Sequence, residues 1–555
     1  MPPSPPPFTG RLTGHGGSHA VAAARHHGVD TMFTLSGGHV FPLYDGAVRP
    51  DPTMRLLDVR HEQTAVFGAE GIGKLTRRAG LAVVTAGPGV TNGVSGVATA
   101  HFNGSPMVLI GGRAPDGRWG QGLLQELDQP PLLETITKRA RTVHGTDEIG
   151  VDVDEAFTLA NTAHRGPVFL DIPMDRLYDQ AEVEVKGAAA PAERAADPDR
   201  VQEIARLISE AERPVLVYGS DVWLDGAERT ALEVAEELGL PVITNGQGRG
   251  VLPAGHPLLA ARARGTAFGQ ADLVVVVGTP LDFRLGHGLF GGRDGAPLAK
   301  VVHIADSPGQ VATHLTLAGS ACGDLSAILR SIGDTAKPGP GVGRWRGTLA
   351  EAAAAASGDD TEALASDADP IHPARIYGEL NRILDDDAVV IGDGGDFVSY
   401  AGKYVEPRQP GTWLDPGPFG CLGTGMGYSI AARLARPSAQ VVTLMGDGAA
   451  GFSLMDVDTL VRHELPVVMI CGNNGIWGLE KAPMQMIYDY DVVAELAPQT
   501  RYDEVVRALG GGGELVTDPG EIGPALRRAF DSGVPYMVNI ATDPENVYPR
   551  KTMGV

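Results

Sequence analysis

Two tripeptides in this 555-residue chain place an aspartate between glycines at the end of an aliphatic run. One is Gly446-Asp447-Gly448 in VVTLMGDGAAGF; the other is Gly392-Asp393-Gly394 in VVIGDGGDF. Either could offer a carboxylate to a metal ion or backbone N–H groups to a phosphate. The residues downstream of each tripeptide distinguish the two. Twenty-four residues lie between Gly448 and Asn473, among them the amphipathic stretch SLMDVDTLVRHELP and the strand-like VVMIC. Two adjacent parallel strands would then end in an Asp loop and an Asn loop on one sheet edge. That brings the Asp447 carboxylate and an amide oxygen together, with backbone carbonyls beyond Asn474. Hard oxygen donors, completed by phosphate oxygens and water, suit octahedral Mg²⁺. Gly446, Gly448 and Ala449, at a helix start, would line a phosphate. Nothing comparable comes after Gly394.

The elements that must position these loops are legible as aliphatic runs alternating with helical patterns. TMFTL, AGLAVVTAG, PMVLIGG and PVFLDIP form one set, and RPVLVYG, PVITNG, ADLVVVVG and KVVHIAD a second. DAVVIGDGG, AQVVTLMGDG, LPVVMICGNNG and PYMVNIATD form a third. Unbroken β-branched runs, rather than alternating ones, indicate parallel strands covered by helices on both faces. Composition marks linkers at 185–200 and 334–343, the second continued by the Ala/Asp-rich 350–369. The reading is three consecutive doubly wound α/β domains over residues 8–183, 196–333 and 370–548, after a disordered tail at residues 1–7.

The totals exclude several function classes. A formal charge of −23 disfavours nucleic acid and anionic membranes as partners. No apolar run approaches the length of a membrane span, and the start has no signal-peptide pattern. Cys322, Cys421 and Cys471 lie far apart without a CxxC pair, which suits a reducing cytoplasm and no structural zinc.

A GDG followed by NN at this spacing resembles the thiamine diphosphate (ThDP) binding motif. The first block carries two further stretches of the same family, in the same order. These are DVRHEQTAVFGAEG, with Glu62 opening a helical pattern, and VVTAGPGVTNG, with Pro88 and Asn92. Over essentially its whole length the chain resembles the ThDP-dependent decarboxylase and acetolactate synthase superfamily. The resemblance implies pyrimidine-binding, middle and diphosphate-binding domains. Asp447, Asn474 and the Ile476 carbonyl would hold the metal, with Trp477 and Gly478 beside them. Glu62 would hydrogen-bond the pyrimidine N1′, where a carboxylate is needed to share a proton with the ring. Met426, in GPFGCLGTGMGYSIAA, would wedge between the cofactor rings. Gly37, Gly38 and His39 of LSGGH and Gln125 of LLQELDQ would face the substrate. Glu495, in the covering segment YDYDVVAELAPQT, is a candidate acid or base. Homodimers or tetramers with active sites between subunits are implied as well.

Within the superfamily, acetolactate synthases carry Arg-Gln-Trp-Gln after the NN motif, where this chain has Lys481-Ala482-Pro483-Met484. GCLGTGMGYSIAA, GFSLMDVDTL, NNGIW and AARARGTAFGQADLVVVVGTPLDF are more similar to the oxalyl-CoA decarboxylase and 2-hydroxyacyl-CoA lyase branch. That likeness implies cleavage of a short 2-hydroxyacyl-CoA to an aldehyde or ketone and formyl-CoA. The alternatives are a 2-keto acid carboligase like acetolactate synthase and, third, a non-catalytic relative. It also implies ADP, ahead of FAD, in the middle domain, with Arg264 and Arg284 on phosphate or coenzyme A. Asp306, in HIADSP, is offset by one from the family's ribose-binding aspartate.

Overall fold

The computed structural model describes residues 10–49, 52–185, 194–292 and 297–548. The expected tail at 1–7, and residues 186–193 of the first linker, lie outside them. Three separate parallel sheets form, of six, five and six strands. The first runs 55–58, 31–34, 80–84, 107–113, 167–173, 140–142 across its width, and every neighbouring pair is parallel. The third runs 413–414, 389–393, 441–446, 468–473, 536–541, 512–516, again all parallel. In chain order both read second, first, third, fourth, sixth, fifth, so the two outer domains share one topology. The middle sheet runs 242–244, 214–218, 273–277, 300–305, 319–322. An antiparallel pair, Gly10–His15 with Gln180–Val185, ties the two ends of the first domain together.

In such sheets ligands bind beyond the strand carboxyl ends, where the order reverses. In the third sheet that crevice lies between 389–393 and 441–446, so Asp393 and Asp447 flank it. In the first it lies between 31–34 and 80–84, whose following loops carry Gly37 to His39 and Thr85 to Pro88. The fold therefore aims both sets of candidate residues at switch points.

One core joins the outer domains. Helix Glu62–Thr76 packs on helix Thr424–Ala435, and Phe67, Met426, Tyr428 and Ala431 are buried together there. Glycines allow the close approach. A Cβ on Gly427 would lie 2.5 Å from that of Phe67, and one on Gly71 would lie 2.7 Å from that of Ala431. A buried polar cluster fixes the axial register. Glu70 accepts from Asn103, Ser105 and Tyr428 Oη, and Lys74 Nζ donates to the Asp415 carbonyl.

Residues 342–364, expected as part of a linker, form a helix instead. Trp345 and Leu349 pack it against the middle sheet, and Trp345 Nε1 donates to the Pro214 carbonyl at 3.1 Å. Its alanine-rich body gave no amphipathic period, but two large apolar anchors suffice to dock it.

The first and middle domains meet through a buried ion pair. His164 Nδ1 lies 3.1 Å from both carboxylate oxygens of Asp306 and 3.9 Å from Asp221. Burial works against the imidazolium, but Asp221 and Asp306 outweigh it and hold the His164 pKa above its ordinary value. Burial likewise pushes Asp306 up, and His164 reverses that to leave it low. The histidine contribution to stability is therefore full below its unfolded pKa, about 6.5, and is lost as pH rises through the folded value. That of Asp306 is present above its unfolded pKa and is lost as pH falls through its depressed folded value. His164→Ala removes the hydrogen-bonded partner of Asp306, leaving Arg165 and Arg194 as its remaining positive neighbours, and is expected to cost up to about 3 kcal/mol in denaturant unfolding. An unchanged unfolding midpoint would show that the pair does not hold the domains.

Candidate active site

The Asp447 and Asn474 loops meet as the spacing required. Asp447 is 3% exposed and opens helix Asp447–Ser453. Its Oδ1 accepts from its neighbour Gly448 N at 3.0 Å, and its Oδ2 from Gly475 N at 2.7 Å across the loops. Burial, against these two N–H groups, pushes its pKa up to about 6. No cation among the described residues balances this carboxylate. Asn473 is turned inward, donating to the Thr500 carbonyl and to Asn539 Oδ1, so Asn474 is the asparagine left at the half-buried loop surface. A carboxylate, an amide oxygen and the carbonyl of Ile476 make a hard donor set of the kind that suits a divalent cation. Gly448 is required sterically, because a Cβ would come within 2.4 Å of the Trp477 ring. Gly478, buried next to it in sequence, opens helix Gly478–Tyr488.

The second GDG has a different task. Asp393 is fully buried, and its two oxygens accept from Gly423 N at 2.9 Å and Gly425 N at 2.8 Å. It clamps the loop that enters helix Thr424–Ala435. Met426 lies inside that helix with 0% exposure, packed in the joint core. This corrects its expected place as a wedge between rings, since a side chain enclosed by protein has no face for a ligand. Leu422, in the same loop and just before the helix, is half-buried and so keeps an accessible apolar face.

Glu62 is the first residue of its helix and is 7% exposed. His61 caps the helix by accepting from Gln63 N, and Asn92 Nδ2 donates to Glu62 Oε2 at 3.0 Å. Three hydrogen bonds dock this helix start on the third domain. Asp456 accepts from Arg60 N and Thr64 Oγ1, and Gln63 Nε2 donates to the Leu422 carbonyl. Asp456 gave no sequence signal, because its partners lie some four hundred residues away.

Gly37, Gly38, His39 and Gln125 converge on a cavity of about 510 Å³, lined only by the first domain. Gly87 enables the convergence. It has φ +60° and passes so close to Gln125 that a Cβ would lie 3.0 Å from the Gln125 Cβ. Pro88 then starts the helix Pro88–Asn103. Thr85, unnoticed in the sequence, links the two polar residues. Its Oγ1 donates to Gln125 Oε1 at 3.4 Å and therefore accepts from His39 Nδ1 at 3.1 Å. Burial lowers the His39 pKa, partly countered by the Leu124 backbone, so the ring is neutral at physiological pH.

Glu495 lies at the surface. Its side chain is 61% exposed and pairs with Lys481 at 2.5 Å. The covering segment is nonetheless in place by its backbone, with Trp477 N donating to Ala494 and Leu496 N to Gly475. In the middle domain Asp306 is spent on His164, so it offers no acceptor to a ribose. Arg264 Nη2 donates to the Arg284 carbonyl at 2.5 Å, and Arg284 is paired with Asp282. Of the three, only Arg284 lines the cavity between the first and middle domains. The donor set expected for ADP or FAD is thus not assembled by these residues.

Among the described residues no helix is long and apolar enough to cross a membrane. Three family models match: the N-terminal thiamine pyrophosphate (TPP) binding domain over 15–132, the central domain over 201–332, and the C-terminal TPP binding domain over 393–540. The chain is 48% identical to the acetolactate synthase large subunit IlvG of Mycobacterium tuberculosis, over 97% of this chain and 98% of that one. It is 33% identical to 2-hydroxyacyl-CoA lyase 2 of Caenorhabditis elegans, over 91% and 85%. The human protein of the same name is 32% identical, over 95% and 90%. With three parallel-sheet domains and full-length likeness to both named kinds of relative, this chain belongs to the thiamine pyrophosphate enzymes.

Proposed function

We propose that the chain is a ThDP- and Mg²⁺-dependent lyase that reversibly splits a short 2-hydroxyacyl-CoA into an aldehyde or ketone and formyl-CoA. When bound, the cofactor supplies the electron sink for the pair released as the carbon–carbon bond breaks. Asp447, Asn474 and the Ile476 carbonyl hold the metal, and the turn from Gly446 to Ala449 receives the diphosphate. Glu62, oriented by Asn92, shares the proton at the pyrimidine N1′. Gln125 orients the reacting carbon, and the His39 imidazole takes the substrate hydroxyl proton.

The observation that carries this reading is an imidazole held by Thr85 beside Gln125. Cleavage of a 2-hydroxyacyl group needs a base for the hydroxyl proton. Decarboxylation of a 2-keto acid releases carbon dioxide and removes no proton, and a carboligase needs such a base only when its condensed product is released. A second reading, a 2-keto acid carboligase like acetolactate synthase, is favoured by the relative at 48% identity. Against it stands Lys481-Ala482-Pro483-Met484, with no tryptophan to select a second keto acid. Intact Glu62, Asp447 and Asn474 argue against a non-catalytic relative. Purified protein with ThDP and Mg²⁺ is expected to form formyl-CoA from 2-hydroxyacyl-CoAs. Acetolactate from pyruvate, without formyl-CoA from any thioester, would transfer the assignment to the carboligase.

The active site is proposed to be shared between two copies of the chain. The His39 cavity is lined by the first domain alone. Phe452 and Met455, just beyond the Asp447 turn, are 58% and 57% exposed, an apolar surface suited to a self-complementary interface. Co-expressed Glu62→Gln and Asp447→Ala chains are expected to recover roughly a quarter of wild-type activity, because random pairing makes half the dimers mixed and each mixed dimer has one intact site. Absence of rescue in demonstrated mixed dimers would place both residues of one site in one chain.

A further inference from the structure

At the end of the first sheet opposite the His39 cavity, where strands 31–34 and 80–84 begin, lies a second cavity of about 880 Å³. That size is within the range of small-molecule sites. Arg25, Arg55, Arg77, Arg78 and Arg436 line it, against the single carboxylate of Asp30. This is the reverse of the chain as a whole, which carries a formal −23. All three domains contribute walls, with Leu75, Trp223 and Leu434 as apolar surface.

Three of the arginines are committed. Arg77 pairs with Glu228 at 2.6 Å and lies 3.6 Å over the Trp223 ring. Arg25 donates to the Val29 carbonyl and Arg55 to that of His463. The side chains of Arg78 and Arg436 have no hydrogen bond or ion pair among the described residues. The simplest account of arginines here is that they complement helix ends, since Gly16–His26, Glu62–Thr76 and Thr424–Ala435 all terminate at this cavity. Three helix ends supply only about half a negative charge each. With Asp30 and Glu228 they offset about three and a half of the five arginines, leaving a positive excess of about one and a half charges on the two uncommitted side chains.

We propose that this cavity binds a small phosphorylated anion carrying at least two negative charges, with Arg78 and Arg436 as its principal partners. Guanidinium groups match phosphate oxygens two at a time, and the apolar wall takes the uncharged part of the ligand. The site is separate from the diphosphate turn at Asp447 and from the cavity lined by Arg284. An occupant touches all three domains and so stabilises their arrangement by mass action.

Calorimetric titration of the ThDP-loaded enzyme, in excess Mg²⁺ so that neither the diphosphate turn nor the metal is disturbed, tests this. The probes are inorganic tripolyphosphate and ATP. Saturable binding is expected, weakened at least tenfold in Arg78→Ala/Arg436→Ala and by added salt, and unchanged in Arg284→Ala. Equal affinity for both probes would mean that the phosphate chain is what is read; tighter ATP binding would add the apolar wall. Arg78→Glu, on an exposed side chain, repeats the test should the double variant fold poorly. Failure of both probes to bind wild type would overturn the proposal. So would undiminished binding in the arginine variants, or loss of binding in Arg284→Ala instead.

Discussion

Glu62→Gln is expected to keep ThDP bound and to lower turnover by three orders of magnitude or more, about 4–6 kcal/mol in the activation barrier. The substitution is nearly isosteric at the first position of helix Glu62–Thr76. The amide oxygen still accepts the 3.0 Å hydrogen bond from Asn92, so the local structure has no reason to change. What is lost is proton sharing, since an amide cannot exchange a proton with a ring nitrogen as a carboxylate does. Two measurements separate chemistry from binding: cofactor content of the purified variant, and the rate of hydrogen–deuterium exchange at the thiazolium C2 of bound cofactor. Full occupancy with strongly slowed exchange is expected. Exchange at the wild-type rate would remove Glu62 from the mechanism.

The parts of this fold that could be read from the sequence are those whose burial leaves a local trace. LVVVV at 273–277 and GLAVV at 80–84 are wholly buried strands and announce themselves. The short strands RLLD at 55–58, ART at 140–142 and WL at 413–414 lie at sheet edges and carry too few apolar residues to stand out. Helix 342–364 is held by two anchors in an alanine-rich body, and its composition imitated a linker. At the site, the choice between the two aspartate loops came from spacing, because adjacent parallel strands must end on the same edge. Thr85 was hidden, since its importance lies in joining His39 and Gln125 across separations that no periodicity encodes. Met426 misled because a methionine in a glycine-rich stretch reads alike whether it faces a ligand or the core. Only the packing of two helices shows that it faces the core.

Asp447→Ala is expected to abolish Mg²⁺-dependent ThDP binding, whereas Asp393→Ala should retain it. The two aspartates look alike in isolation: both are buried, both accept from two backbone N–H groups, and burial pushes the pKa of each up to about 6. They differ in what they join. Asp393 fastens Gly423 and Gly425, a purely structural clamp, so its loss leaves two buried N–H groups unsatisfied. That should cost about 2–6 kcal/mol of stability, with cofactor affinity changed far less. Asp447 joins its own turn to the Asn474 loop through Gly475 and is the only carboxylate in the proposed donor set. Removing it leaves the diphosphate charge without its cation and the two loops without their cross-link. The same burial gives a pH signature. In metal-free protein the raised pKa means that this carboxylate's contribution to stability is full below about 3.9 and is lost as pH rises through about 6. Mg²⁺ takes the ionised form, so its binding must displace a proton below about pH 6, and ThDP affinity should fall up to tenfold for each pH unit beneath that. Titrating ThDP into wild type and each variant by calorimetry, at fixed Mg²⁺ and over pH 5–8, reads the affinities, and denaturant unfolding of the metal-free proteins reads the stabilities. Cofactor binding lost in the Asp393 variant and kept in the Asp447 variant would reverse the assignment of the two loops.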